Sequence, residues 1–498
     1  MIKCDVLILT CPVIFTNAPL QAPAILKAVL QQNGFTSSTL DLNHEFQKLA
    51  TQNANRHDLL KNYFCFGTLV NKEKIDEVDY YIKEVTELIV KNYKTRHIAL
   101  SVFTHQSQKF AELLSRSLKK QDRSRKIILG GQGIVSSGIN GNTDWVNGLK
   151  KAKVIDAFIV SEGERALVNY LKLNKGEGVN NYQWRQMDNL DDGPYPNYDD
   201  YKLDEYKSKK LLITGSRGCV RHCSFCDIHT HWKKFVFRSG DEIAKEMIVQ
   251  SEKYNIYKFL FTDSLINGSM KAYRNFIKTM AKHNNTVDPS KQIMWHGQFI
   301  VRGIRQMTDE DWSLTKQSGG DGLFLGVESG SEKIRDHMKK QFSDKDLDEF
   351  MEQAYKYKVK LSFGMIVGYP TETHEDFLDT LRMFKRYQKY KEIFLEVALG
   401  TTLSILPGTP LAAQFDKDME LNNGENFWMY YKNPTLDFKE RIKRRMIIGE
   451  ECIKMGYPVP NNVDELKLLH FLYSVYKKKQ KQILFDLNTD NVNNQKLS

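Results

Sequence analysis

Short apolar runs alternate with amphipathic helical ones through the first 190 residues. Asp5–Leu9, Ser38–Leu42, His97–Phe103, Lys126–Gly131 and Ala157–Val160 read as strands, being brief runs of apolar residues closed by turn signals. Ala24–Gln32 is predicted as a helix stopped by Asn33-Gly34, and further helices run through Phe110–Leu114 and beyond Glu162. A polar helical insertion is expected from about Asn43 to Tyr93. Strand and helix in alternation predict a doubly wound parallel sheet, which receives ligands at the carboxyl ends of its strands. Asp188 to Tyr206, punctuated by Gly193, Pro194 and Pro196, reads as a linker.

The alternation then resumes. Lys210–Thr214, Lys258–Thr262, Met294–Phe299, Gly322–Val327, Lys360–Gly368 and Glu396–Leu399 are six strand-like runs separated by helical stretches such as Gly240–Tyr254 and Phe377–Tyr390. Six β/α units predict a partial (β/α)6 barrel with its sites on one face. Beyond residue 411 the chain turns helical and basic. Phe438–Met455 is a helix ended by Gly456, and Leu466–Leu484 is another. Lys477–Lys479 reads as a solvated charge run, and Asn488–Ser498 as disordered. The expected division is therefore α/β, with a doubly wound domain and its linker over 1–190, a partial barrel over 191–411 and a helical region with a disordered tail over 412–498.

Composition narrows this only a little. At 498 residues with 41% hydrophobic content, the chain can bury more than one core. The net charge of +11 comes from lysines spread along the sequence, which reads as a solvated surface. No arginine–aromatic pattern points to nucleic acid, and such a partner is not expected. No run of 18 uncharged apolar residues occurs, so no membrane span is expected. Met1–Thr10 reads as a strand, not as a signal peptide. Seven cysteines, an odd number, suggest a reducing, cytoplasmic setting.

Three of those cysteines lie together in Gly218-Cys219-Val220-Arg221-His222-Cys223-Ser224-Phe225-Cys226. They follow the strand at 210–214, at the end where α/β folds carry their chemistry. Thiolates are soft ligands that suit an iron–sulfur cluster or zinc. With three local thiolates, one coordination position is left for another group. A zinc site completed by His222, His229 or His231 stands beside the cluster reading on spacing alone. Cys4, Cys11, Cys65 and Cys452 read as core or incidental residues.

The spacing Cys-x-x-x-Cys-x-aromatic-Cys after a first strand resembles the signature of radical S-adenosylmethionine (radical SAM) enzymes. The resemblance implies a [4Fe–4S] cluster held by Cys219, Cys223 and Cys226. SAM would chelate the fourth iron, and Phe225 would stand beside its adenine. It also implies SAM contacts at Asp263 and Ser264, where the family holds the methionine amino group. Glu328 and Ser329, in Gly-Val-Glu-Ser-Gly, match a ribose- or methionine-contacting segment, and Gly364 and Gly368 match the fifth-strand motif beside adenine. Glu372 falls one place late in that motif and is not carried over. The first half resembles, more diffusely, the cobalamin-binding domain that precedes many radical SAM cores, through Ser101, Gly130-Gly131 and the segment from Asp156 to Glu164. The Asp-x-His-x-x-Gly motif is absent, and Pro12–Asn17 stands after the first strand instead.

The resemblance implies reductive cleavage of SAM to a 5′-deoxyadenosyl radical, abstraction of a hydrogen atom from an unactivated carbon, and methyl transfer through cobalamin. No catalytic side chain is implied beyond the cluster ligands. A small-molecule or peptide substrate and a reductant such as flavodoxin or ferredoxin are expected. Two alternatives stay open: a radical SAM enzyme that cyclises, rearranges or oxidises without methylating, and a zinc-stabilised RNA-binding protein.

Overall fold

The computed structural model describes residues 1–15, 17–66, 72–135, 142–160, 162–173, 186–303, 306–400, 403–415, 419–421 and 428–460. The predicted helix at 466–484, the charge run at 477–479 and the tail at 488–498 lie outside them. The chain divides into two compact units, residues 1–219 with 228–295 and residues 220–227 with 296–498.

The first unit opens with a five-stranded parallel sheet. Its strands are β1 (Val6–Thr10), β2 (Ser37–Asp41), β3 (His97–Ser101), β4 (Lys126–Gly130) and β5 (Ala157–Ile159), in the order β2-β1-β3-β4-β5. This is the doubly wound arrangement whose order reverses between β1 and β3, the place where such sheets take ligands. Both faces are covered. Leu7, Leu9, Ile98, Leu100, Leu129 and Phe158 point into one core with Phe46, Phe64 and Phe110. Val6, Ile8, Ala99 and Ile128 point into the other with Leu30, Leu167 and Leu171. Strands buried on both sides read as continuous apolar runs, which is why their sequences do not alternate with polar residues.

Helix α1 (Gln21–Gln32) and α7 (Gly163–Leu173) supply the second core. The polar insertion is three helices, α2 (Leu42–Gln52), α3 (Ala54–Phe66) and α4 (Lys72–Asn92). With α5 (Gln108–Gln121) and α6 (Asp144–Lys151) they cover the first core.

The same unit continues with β6 (Leu211–Ile213), a short hairpin of β7 (Ser216–Arg217) and β8 (Val236–Phe237), α8 (Gly240–Tyr254), β9 (Lys258–Phe261) and α9 (Met270–Asn284). β6 and β9 pair in parallel. The second unit carries most of β10 (Met294–Phe299), then α10 (Asp309–Gln317), β11 (Gly320–Glu328), α11 (Glu332–His337), α12 (Asp344–Lys356), β12 (Leu361–Met365), α13 (His374–Tyr387) and β13 (Phe394–Ala398). β11, β12 and β13 are parallel neighbours. The helices start where side chains satisfy free amides: Thr308, Ser343 and Thr373 each close a reciprocal capping box with an aspartate three residues on.

After α14 (Pro410–Phe415) the region expected to be predominantly helical also contains an antiparallel hairpin, β14 (Met419–Leu421) with β15 (Trp428–Tyr430). Strands of three residues are too short to show a period in sequence. α15 (Phe438–Met455) follows and ends at Gly456 in the left-handed conformation, φ 87°, as the C-cap glycine indicated. Among the described residues no helix is long and apolar enough to cross a membrane.

Phe158 is fully buried at the centre of the first core. Phe158→Ala is expected to lower the stability of the first unit by about 3–5 kcal/mol, read as an earlier urea midpoint by circular dichroism. A change under about 1 kcal/mol would mean that this core closes over the cavity.

Candidate functional site

The three cysteines of the loop are each half-buried. Ser224, between two of them, fixes the loop. Its amide donates to Met338 O at 3.0 Å and its carbonyl accepts Leu411 N at 2.7 Å. Its hydroxyl lies 3.3 Å from His337 O and 3.1 Å from the Tyr369 hydroxyl. Ser224 is 1% exposed, so all of this happens out of water, where an unmet polar group is costly. Phe225 packs on the core formed by Ile334, Met338, Tyr369, Leu403, Leu411 and Trp428. The loop is therefore shaped by residues that lie between its cysteines. Among the described residues, the one trio of histidine, cysteine and carboxylate side chains converging within 4.8 Å is His44, Glu45 and Glu205; the three cysteines form no such group, either by themselves or with His222, His229 or His231.

A buried lysine stands over this loop. Lys340 Nζ is 3.1 Å from Glu328 Oε1, with the two side chains 12% and 13% exposed, and it lies 5.8 Å from the Phe225 ring centroid. Burial works against its charge, but Glu328 and the thiol groups of Cys223 and Cys226 more than offset that and raise its pKa. Burial pushes the Cys223 thiol up, and Lys340 acts in the opposite direction. The backbone here is strained: Glu328, Lys339 and Gln341 have φ of 70°, 59° and 57°. Non-glycine residues in the left-handed region collect where function demands a fixed geometry. Sequence reasoning singled out Phe225 and Glu328 but missed Lys340, which looks like one surface lysine among many.

Gly364 lies at the end of β12, where a Cβ would stand 2.8 Å from the Phe324 ring. Gly368 follows with φ 80°, and a Cβ there would stand 2.4 Å from Arg441 Cγ. Its amide donates to Glu372 Oε2 at 3.3 Å, and Glu372 Oε1 accepts Arg444 Nη1 at 2.9 Å. Arg441 is fully buried, stacked 3.8 Å from the Trp428 centroid and donating to Leu436 O at 2.9 Å. Two arginines of α15 thus brace the glycine loop. Glu372 was set aside on sequence; here it ties that loop to α15. Ser329 is buried in the turn after β11, its hydroxyl accepting Ser331 N at 3.2 Å.

Asp263 follows β9 and is 3% exposed. Its Oδ2 accepts Gly215 N at 2.8 Å, while Oδ1 is buried with no hydrogen-bond partner among the described residues. Burial pushes its pKa up to about 7. Ser264 beside it is half-buried.

In the five-stranded sheet, Ser101 and Gly130 are paired at the carboxyl ends of β3 and β4. Gly131, with φ 100°, brings the next loop against the backbone after β3: a Cβ would stand 2.5 Å from Val102 O. At this edge Phe15 and Phe103 are 67% and 45% exposed. They follow β1 and β3, the two strands at which the order reverses. His105 is exposed nearby. Sequence reasoning missed both phenylalanines because burial is invisible along the chain.

Residues 213–384 match the family model of the Radical SAM superfamily. The chain carries a radical SAM domain. An uncharacterized methyltransferase of Pyrococcus horikoshii is 22% identical over 287 residues, 53% of this chain and 58% of that protein. The tRNA-2-methylthio-N(6)-dimethylallyladenosine synthase of Pseudoalteromonas translucida is 22% identical over 311 residues, 60% of each. The chain spans roughly three fifths of the length of these curated relatives. Among solved structures, the radical S-adenosylmethionine methyltransferase TsrM from Kitasatospora setae, with cobalamin and a [4Fe–4S] cluster bound, matches with a TM-score of 0.58 at 14% identity, over 85% of this chain and 81% of that one. The cobalamin-dependent radical enzyme OxsB with aqua-cobalamin matches with a TM-score of 0.60 at 16% identity, over 84% and 63%. These likenesses are of fold.

Burial lifts Glu372 to a pKa of about 6 against an ordinary 4.5, with Arg444 pulling the other way. A raised carboxyl pKa makes a contribution to stability that is complete below pH 4.5 and lost as pH passes 6. Glu372→Gln removes this dependence. Between pH 4.5 and 7 the wild-type protein is expected to lose up to about 2 kcal/mol relative to Glu372→Gln, measured by urea unfolding at each pH. Parallel pH profiles would refute it.

Proposed function

We propose that this protein is a cobalamin-dependent radical SAM enzyme that methylates an unactivated carbon of a small-molecule or peptide substrate in a reducing, cytoplasmic setting. Flavodoxin or ferredoxin would supply the electron. The observation that carries the reading is the three-cysteine loop, anchored at Ser224 with its thiols half-buried, in one chain with a doubly wound sheet whose carboxyl edge exposes Phe15 and Phe103.

The residues present fit both groups. Three thiolates on one loop are a donor set for a [4Fe–4S] cluster with one iron left open. Cys219, Cys223 and Cys226 would hold it. Phe225, Asp263 with its unmet Oδ1, Ser264, Glu328, Ser329, Gly364 and Gly368 are the candidates for SAM. Ser101, Gly130, Gly131 and the two exposed phenylalanines would meet the flat corrin, with no histidine in the loop after β1 to bind cobalt. When bound, these groups supply one-electron cleavage of SAM to a 5′-deoxyadenosyl radical and transfer of a methyl group. The chain's own part is to fix and to shield. Ser224 and Tyr369 hold the loop still. The Lys340 ammonium places positive charge beside the cysteine sulfurs and is held there by the Glu328 carboxylate. Arg441 and Arg444 keep the glycine loop from moving.

Cys219→Ala, Cys223→Ala or Cys226→Ala is expected to abolish 5′-deoxyadenosine formation; full activity in any of them would sink the assignment. Anaerobically reconstituted protein, desalted after exposure to hydroxocobalamin, is expected to show a broad iron–sulfur absorbance with retained cobalamin. A cluster without cobalamin would instead favour a radical reaction without methyl transfer. Lys340→Met is expected to weaken SAM binding about tenfold, by isothermal calorimetry, for loss of a buried charge-assisted contact; unchanged affinity would remove Lys340 from the site.

A further inference from the structure

Arg217 lies two residues before Cys219 and takes no part in the contacts described so far. Its guanidinium sits between two carboxylates from more than fifty residues upstream. Nη1 donates to Glu162, and Nη2 donates to Glu164 Oε1 at 2.6 Å. The three side chains are 15%, 5% and 13% exposed. The second oxygen of Glu162 accepts Met187 N at 2.5 Å, and the Trp232 ring lies 5.7 Å from the guanidinium carbon. Arg217 itself is held in the β7–β8 hairpin opposite Val236.

Charges are withdrawn from water at a cost of several kcal/mol each, and such an arrangement persists only when the geometry satisfies them. A planar fork that gives one nitrogen to each of two carboxylates fixes direction as well as distance, which a lysine does not. The origin of the carboxylates is informative. Glu162 leaves β5 at the carboxyl edge of the five-stranded sheet, and Glu164 lies in the first turn of α7. The approach to the first cysteine is thus tied to the edge of that sheet.

We propose that Arg217 is a positioning residue for the cysteine loop, set in place by Glu162 and Glu164. The proposal rests on the reading of the loop as a cluster site. Its test uses full-length protein, anaerobically reconstituted, in four forms: wild type, Glu162→Gln/Glu164→Gln, Arg217→Met and Arg217→Lys. Hydrogen exchange by mass spectrometry follows peptides covering 214–219, and electron paramagnetic resonance follows the reduced cluster with SAM. The paired glutamine variant lies far from the loop in sequence, yet protection over 214–219 is expected to fall at least tenfold and the spectrum to change, with iron content retained. Arg217→Met is expected to match it, and Arg217→Lys to recover part of the protection. Phe158→Ala, which destabilises the first unit as a whole, is expected to lower protection across its peptides alike and to leave the spectrum unmoved. Unchanged exchange over 214–219 in the paired variant overturns the proposal, as does a loss in the paired variant that is spread over the whole unit as in Phe158→Ala. Wild-type protein that takes up no iron would defeat the cluster reading, and the exchange comparison would still decide the role of Arg217.

Discussion

The site depends on a loop held rigid by residues other than its three cysteines. A loop that satisfied its own polar groups through the cysteines would have nothing left to bind with. Ser224 resolves this by taking four hydrogen-bond partners, three of them backbone groups and one the Tyr369 hydroxyl, in a place that water does not reach. Because the cost of leaving any of these groups unmet is high, the loop is held at Ser224.

Buried cations do the rest of the positioning, each with a defined partner. Lys340 meets Glu328, Arg444 meets Glu372, and Arg441 meets backbone carbonyls and the Trp428 face. Each pair is expensive to bury and therefore intolerant of small displacements. Such pairs fix direction better than apolar packing does, and a site for SAM, with one charged end and one flat apolar end, needs both. The helix α15 lies outside the segment that matches the radical SAM family, yet its arginines hold the glycine loop that follows β12. The C-terminal region in this respect braces that loop.

The five-stranded sheet shows the same economy. Gly131 is required by close backbone approach to Val102, a structural demand, whereas Phe15 and Phe103 stand 67% and 45% exposed. Large apolar side chains left in water at the point where strand order reverses are what a flat, mostly apolar ligand would cover.

Among the described residues, the sequence by itself determined the class of the long elements it named and the cysteine loop's place after a strand, because apolar runs, capping residues and glycine stops act locally. Strand ends differ from expectation by a few residues, as at Val6–Thr10 and Leu361–Met365. It also displayed Phe225, Glu328, Gly364 and Gly368, since motifs are contiguous. Tertiary structure alone decided that Lys340 is buried against Glu328, that Glu372 is tied to an arginine 72 residues on, and that Arg217 is clasped by Glu162 and Glu164. These are pairings between residues distant in the chain, and a charge's partner and its burial are properties of the folded packing, which no local pattern of hydrophobic and polar positions encodes.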